Sequence, residues 1–189
     1  MTTTATLPAS ADRSGAPSRW LQNYYATRAL VSIVWVALAS TIGRSEPVAG
    51  AILFVAYPVW DGLANLIDAR RNGGLRTNPT QALNAGISAV VALAVAIAVT
   101  RDVHDAIGAI GVWAALTGLL QLATGIRRWR RASAQWPQIL SGAQSTLAAV
   151  HFIAKATSPL AVVSVADVAP YAAFGAFYFA VSAAVLFRR

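Results

Sequence analysis

Six long apolar runs cover most of this 189-residue chain and constrain its fold more than any other feature. They lie at about 24–42, 48–69, 82–100, 106–126, 137–156 and 169–187. A helix needs roughly 20 mostly apolar residues to cross the hydrocarbon core of a bilayer, and a chain surrounded by lipid must satisfy its own backbone hydrogen bonds. The alternating pattern of a membrane β-barrel is absent over most of these runs. The sequence therefore predicts an all-α integral membrane protein with six transmembrane helices.

The amino-acid composition argues against an ordinary soluble domain. Only 12% of the residues are charged and 57% are hydrophobic, whereas about 25% of the residues of a soluble domain are charged. The start of the chain is rich in Thr, Ser, Ala and Pro and lacks the layout of a signal peptide. We expect residues 1–22 to form a disordered cytoplasmic tail, and residues 23–189 to form the transmembrane domain with the lipid bilayer as its partner.

The formal charge of +8 is concentrated at the ends of the apolar runs. With six spans, both termini share one side, and eleven basic residues fall on it: Arg13, Arg19, Arg70, Arg71, Arg76, Arg127, Arg128, Arg130, Arg131, Arg188 and Arg189. Three fall near the other side: Arg44, Arg101 and Lys155. The positive-inside rule places both termini in the cytoplasm, and the Ala- and Arg-rich composition favours a bacterial inner membrane. Because the arginines follow the span ends, we expect no nucleic-acid partner.

The sequence offers little for catalysis. It contains no cysteine, which excludes disulfides, thiolate chemistry and Cys-ligated metal or iron–sulfur sites. It also lacks the His-Glu-x-x-His, Gly-x-Ser-x-Gly, Walker and dinucleotide-binding patterns. Two histidines near the outer side are a poor supply of axial ligands for haem. We therefore expect no catalytic residue, no metal and no cofactor, and a protein that is not an enzyme.

Two stretches of the chain align without a gap at an offset of 56 residues. The aligned polar pairs are Arg28 with Asn84, Ser32 with Ser88, Asp61 with Thr117, and Asn65 with Gln121. A weaker third copy follows at an offset of 57, over residues 141–145. The repeat predicts three helical hairpins, related by rotation about an axis near the membrane normal. The alternative is that Ala-rich helices resemble one another by composition alone.

Polar side chains inside the spans give the best functional candidates, because such groups are costly in a bilayer. Tyr57, Asp61 and Asn65 recur every four residues on one helix face, and Gln121 repeats the position of Asn65. Arg28 lies at a similar depth in the first span, within reach of Asp61. Two interpretations stay open. One is a proton- or ligand-responsive site, and the other is a buried Arg–Asp pair that locks the hairpin, with Asn and Gln as interhelical hydrogen bonds.

A second candidate lies near the outer end of the fifth span, where His151 and Lys155 are one turn apart. One interpretation is a pH-sensing or anion-attracting pocket. The other is a lysine that extends to the membrane surface beside an interfacial histidine.

Part of the chain resembles the HdeD family of small bacterial inner-membrane proteins. The residues that carry the resemblance, best over about 25–71, are Arg28, Pro47, Ala56-Tyr57, Asp61-Gly62 and Arg70-Arg71. The resemblance implies six spans built from hairpin units and a role linked to acid stress, in a family without an established biochemical mechanism. We thus expect a structural or stress-related membrane protein. The alternative is a small transporter or channel, working as a homo-oligomer, with an unidentified small-molecule ligand at Asp61.

Overall fold

The computed structural model describes residues 19–128 and 136–188, and every regular element in these residues is a helix. The α-helices are α1 (Arg19–Ser40), α2 (Ile42–Ser45), α3 (Pro47–Arg71), α4 (Pro79–Ala98), α5 (Val103–Arg128), α6 (Trp136–Ala156) and α7 (Ala169–Phe187). A 3-10 helix, Val165–Val168, directly precedes α7. The predicted all-helical class is therefore confirmed.

The helix starts differ from the predicted spans in a few places. The first helix begins at Arg19, so residues 19–22 are helical although they belong to the predicted tail, and residues 1–18 lie outside the described residues. Pro47, Pro79 and Pro170 each lie in the first turn of a helix. A proline is tolerated there because the N–H that it lacks would have no partner within the helix.

The outer surface of the bundle is apolar. Leu30, Val48, Val90, Leu147 and Val150 are between 62% and 74% exposed. A soluble protein rarely exposes so continuous an apolar surface. Five helical stretches of the described chain are long and apolar enough to cross a membrane: 19–45, 47–71, 79–98, 103–123 and 165–187.

The six long helices form a ring that follows the order of the chain. Packing is closest between α3 and α4, between α5 and α6, and between α7 and α1. The two helices of each predicted hairpin pack less closely: α1 with α3, α4 with α5, and α6 with α7. Close packing thus joins each hairpin to the next one, and the two helices within a hairpin diverge around the centre of the ring.

The first and last helices of the described chain meet at one end of the bundle. The side-chain amide of Gln22 donates to the carbonyl oxygen of Leu186 at 2.9 Å. The guanidinium carbon of Arg71 lies 4.8 Å from the centre of the Trp20 ring. We call this the basic end, because Arg19, Arg70, Arg71 and Arg188 belong to the helix ends that meet here.

The opposite end of the bundle is closed by α2 and the 3-10 helix. Val165 is only 1% exposed, and its side chain lies close to Gly43 and Gly50 in the same core cluster as Leu53. The 3-10 helix begins with a capping box, in which the Asp167 carboxylate accepts the backbone N–H of Ser164 at 2.9 Å. This short helix therefore fills the space between the diverging ends of the first and last hairpins.

His104 links two loops at the same end. Its Nδ1 lies 2.9 Å from a carboxylate oxygen of Asp102, and its Nε2 lies 3.1 Å from the carbonyl oxygen of Ala161. Both partners are acceptors, so a ring that carries protons on both nitrogens donates to both. The backbone N–H of His104, and then its ring, hold the pKa of Asp102 below its ordinary value.

Candidate functional site

A cavity of about 160 Å³ lies at the centre of the ring, and all six long helices contribute to its wall. Its lining residues with charged, hydroxyl or amide groups are Arg28 and Ser32 on α1, Tyr57, Asp61 and Asn65 on α3, Asn84 on α4, Thr117 and Gln121 on α5, Ser141, Gln144 and Ser145 on α6, and Tyr171 and Tyr178 on α7. The bundle therefore has an apolar exterior, a hydrophobic core and a polar cavity at its centre.

An ion pair between Arg28 and Asp61 forms part of this wall. The guanidinium Nη2 lies 2.6 Å from Asp61 Oδ1, and the two side chains are 12% and 20% exposed. Asp61 is ten residues before the end of α3, which places it about 15 Å from that end at 1.5 Å per residue. At this depth each charge needs its partner, because an isolated charge is costly in a bilayer.

Both members of the pair have further partners. Arg28 Nη1 donates to the hydroxyl of Tyr24 at 3.1 Å, and the guanidinium carbon lies 4.2 Å from the centre of the Phe179 ring. Asn65 donates to Asp61 Oδ2 at 3.1 Å from the next turn of the same helix. The pair is thus held by hydrogen bonds and by a cation–π contact.

Ser88 and Trp113 extend the network of Asp61 to two more helices. The indole N–H of Trp113 donates to Ser88 Oγ at 3.1 Å, and Ser88 Oγ donates to Asp61 Oδ2, also at 3.1 Å. Ser88 is completely buried. The sequence prediction missed both residues, although the repeat that aligns Ser88 with Ser32 contained a signal for the serine.

Three aromatic rings, which we call the aromatic triad, meet at one end of the cavity. They are Tyr57 on α3, Trp113 on α5 and Tyr171 on α7, one from each predicted hairpin. Their centres are 5.3, 6.2 and 6.3 Å apart, and each pair is packed edge to face. Such contacts are favourable beyond the area that they bury, so the triad makes a packed layer across the bundle.

The cavity extends from the aromatic triad towards the basic end. On α3, Tyr57 is followed at intervals of one turn by the lining residues Asp61 and Asn65. On α5, Trp113 is followed in the same way by Thr117 and Gln121. On α7, Tyr171 is followed by the lining residues Phe174 and Tyr178. All three helices run from the triad to the basic end in this direction, so the lining residues lie on the basic side of the triad.

The polar face of α6 completes the cavity wall. Ser141 Oγ donates to Gln121 Oε1 at 3.3 Å, and Ser145 Oγ lies 3.3 Å from the hydroxyl of Tyr171. Polar residues along α6, the predicted fifth span, lower its hydropathy, and α6 is not among the stretches apolar enough to cross a membrane. Ser141, Gln144 and Ser145 line the cavity, whereas Leu147 and Val150 are exposed.

The structure brings the five predicted intramembrane site residues together. Arg28, Tyr57, Asp61, Asn65 and Gln121 all line the cavity. The five residues belong to three different helices. Among these five, Asp61 is hydrogen-bonded directly to Arg28 and to Asn65.

The two predicted outer residues, His151 and Lys155, have different direct partners in the structure. The ammonium group of Lys155 pairs with the carboxylate of Asp167 and donates to the carbonyl oxygen of Val162 at 3.3 Å. His151 is exposed, and the centre of its ring lies 5.9 Å from that of Phe152. His151 lines a pocket of about 310 Å³ together with Asp167, the partner of Lys155, so the pocket interpretation of this pair stays a prediction.

Comparison with known proteins gives no relative from which a function could be transferred. No family model, no curated protein and no solved structure matches the chain.

Proposed function

We propose that this protein binds a small solute in its central cavity, as a small transporter or channel of a bacterial inner membrane. The observation that carries the proposal is the cavity itself, since all six long helices contribute polar groups to it. A bundle that needed only internal hydrogen bonds would close around them, because cavities reduce packing energy. The aromatic triad separates this cavity from the opposite end and so serves as the closed side of the solute path.

The proposed orientation places both termini, and the basic end towards which the cavity extends, in the cytoplasm. It is supported by the arginines of the basic end and by the positive-inside rule. We expect reporter fusions after Arg76 and after Arg189 to have cytoplasmic activity, and a fusion after Asp102 to have periplasmic activity. A periplasmic reporter at the C-terminus would contradict this orientation.

The proposed architecture is a ring of three hairpins related by a rotation axis through the cavity. The aligned residues Arg28 and Asn84 both line the cavity, and so does Ser141 at the third equivalent position. Asp61 and Thr117 are equivalent residues of the first two copies, and Phe174 follows at the same offset of 57; all three line the cavity. A parallel repeat explains why equivalent positions face one central space.

Accessibility of single cysteines tests whether the cavity is open to solutes. The chain has no cysteine of its own, so each variant carries one reactive thiol. We expect Ser141→Cys, in the cavity wall, to react with a charged, membrane-impermeant methanethiosulfonate in inside-out vesicles and not in right-side-out vesicles. The matched control on the same helix is Ala149→Cys, at a position that is 2% exposed and packed in the core. It should react from neither side.

The outcome also decides between orientations and between functions. Labelling of Ser141→Cys only from the periplasmic side would reverse the proposed path. If neither cysteine reacts in either vesicle, the cavity is sealed and the solute-binding function is wrong.

A second candidate function is the structural or stress-related role that the resemblance to HdeD implies. The observation in its favour is the complete pairing of Asp61 with Arg28, Asn65 and Ser88, which suits a lock between helices. Under this alternative, variants of Asp61 would lose stability and acid survival together, and no solute would bind.

A further inference from the structure

We propose that the central cavity selects a small, uncharged, planar solute with a carboxamide-like group, in which an acceptor oxygen lies beside an N–H donor. This inference rests on the proposed function and names the chemical class of its solute. It follows from the charge balance of the wall, from three buried polar atoms without partners, and from the size of the cavity.

The charge balance favours an uncharged solute. Among the described residues, Arg28 and Asp61 are the charged members of the cavity wall, and each neutralises the other at 2.6 Å. A cation or an anion entering the cavity would find no free countercharge, and it would lose its hydration as well. The remaining polar groups of the wall are hydroxyl, amide and indole N–H groups, which bind uncharged solutes by hydrogen bonds.

Three buried polar atoms of cavity-lining residues have no hydrogen-bond partner among the described residues. They are the Nε–H of Arg28, the Nε1–H of Trp60 and the side-chain oxygen of Asn84. Buried polar groups in proteins are nearly always satisfied, so such atoms call for an explanation. The first two are donors and the third is an acceptor. Arg28 and Trp60 also line a neighbouring pocket beside Trp20, whereas Asn84 does not. A solute with an acceptor oxygen and a donor N–H, as in a carboxamide, would supply partners for both kinds of atom.

The size and the aromatic wall favour a flat solute. The volume of about 160 Å³ is close to that of an engineered cavity of about 150 Å³ that binds benzene. Tyr57, Trp113 and Tyr171 close one end of the space, and Phe174 and Phe179 line its sides. A planar ring can pack edge to face against such walls, with its polar group directed towards the hydrogen-bonding residues.

Three probes of nearly the same shape test the charge preference. Benzamide is uncharged at neutral pH, benzoate is an anion and benzamidine is a cation. Isothermal titration calorimetry with the full-length protein in nanodiscs should give benzamide an affinity at least about tenfold above that of either ion, a difference equivalent to one net hydrogen bond or more.

Two pairs of variants test the assigned atoms. Trp60→Phe removes the indole N–H in the cavity wall, and we expect a loss of benzamide affinity of up to about tenfold. Trp20→Phe is the matched control, because the indole N–H of Trp20 is also buried without a partner but does not line this cavity. Asn84→Ala should weaken benzamide binding to a similar degree. Gly86→Ala, on the exposed side of the same helix with nothing within 4 Å of the added carbon, should leave it unchanged.

Each result decides a different point. Equal or tighter binding of benzoate or benzamidine would overturn the proposed solute class and leave the solute-binding function standing. Benzamide binding that is insensitive to both Trp60→Phe and Asn84→Ala would overturn the assigned atoms. If none of the three probes binds although Ser141→Cys is labelled, the solute class is wrong and the open cavity remains. If none binds and Ser141→Cys is unreactive, the class and the proposed function both fail.

Discussion

Replacement of Asp61 by alanine is expected to lower the free energy of unfolding by about 3 to 5 kcal/mol, the range typical of removing one partner from a buried ion pair. The physical reason is that Arg28, whose side chain is only 12% exposed, keeps its charge and loses its counterion. Ser88 loses its acceptor at the same time, and Asn65 keeps only its bond to the backbone carbonyl of residue 61. Chemical or thermal unfolding in detergent measures the loss.

The double variant Arg28→Leu with Asp61→Ala should recover more than half of that loss, because no charge is left unpaired. Recovery is incomplete, since Ser88 is still without its acceptor. Asp61→Asn is the isosteric control: it retains an oxygen for Ser88 but cannot neutralise Arg28, so it should be nearly as unstable as Asp61→Ala. A double-mutant cycle isolates the coupling between the two residues.

Two results would change this account of Asp61. Additive losses in the cycle would mean that Arg28 and Asp61 do not stabilise each other. If Asp61→Ala has normal stability but no longer binds a solute, Asp61 belongs to the binding site and does not lock the helices.

The second large effect is expected at Gly142, where α5 and α6 are in closest contact. A Cβ atom at this position would lie 2.8 Å from the carbonyl oxygen of Gly118 and 2.8 Å from the backbone nitrogen of Leu122. Backbone atoms cannot turn away as a flexible side chain can, so the helices must separate. We expect Gly142→Ala to destabilise the protein by about 1 to 3 kcal/mol, as overpacking does. This loss outweighs the gain in helix propensity.

Gly86→Ala is the matched control for this prediction. Gly86 is also a helical glycine, but an added Cβ there meets nothing within 4 Å. The same chemical change should therefore stabilise the protein by up to about 1 kcal/mol through helix propensity. If Gly142→Ala lowers the free energy of unfolding and Gly86→Ala raises it in the same assay, the result supports close α5–α6 packing. A stabilising Gly142→Ala would contradict it.

Local patterns in the sequence were sufficient to predict the helices and one side of the cavity. Hydropathy over about 20 residues identifies helical spans, because each helix satisfies its own backbone hydrogen bonds. The intervals of four residues between Tyr57, Asp61 and Asn65 identified one polar helix face. The depth of Arg28 predicted a partner for Asp61, and the structure places the two side chains in contact.

Contacts between distant parts of the chain could not be predicted in this way. The packing of α7 on α1, the hydrogen bond from Ser88 to Asp61 and the contact of Tyr171 with Tyr57 join residues on different hairpins. Which faces meet depends on how all six helices fit around one centre.

The outer end of α6 shows most clearly how the sequence pattern and the tertiary structure differ. His151 and Lys155 are one helical turn apart, and this spacing suggested that they act together. Lys155 instead pairs with Asp167, twelve residues further along the chain. A long side chain can reach any neighbouring acceptor, and only the fold determines which acceptor lies nearby. The sequence by itself therefore determined which residues are helical and which helix faces are polar. The tertiary structure decided which of those faces enclose the cavity, because helix packing depends on close contacts between side chains far apart in the chain.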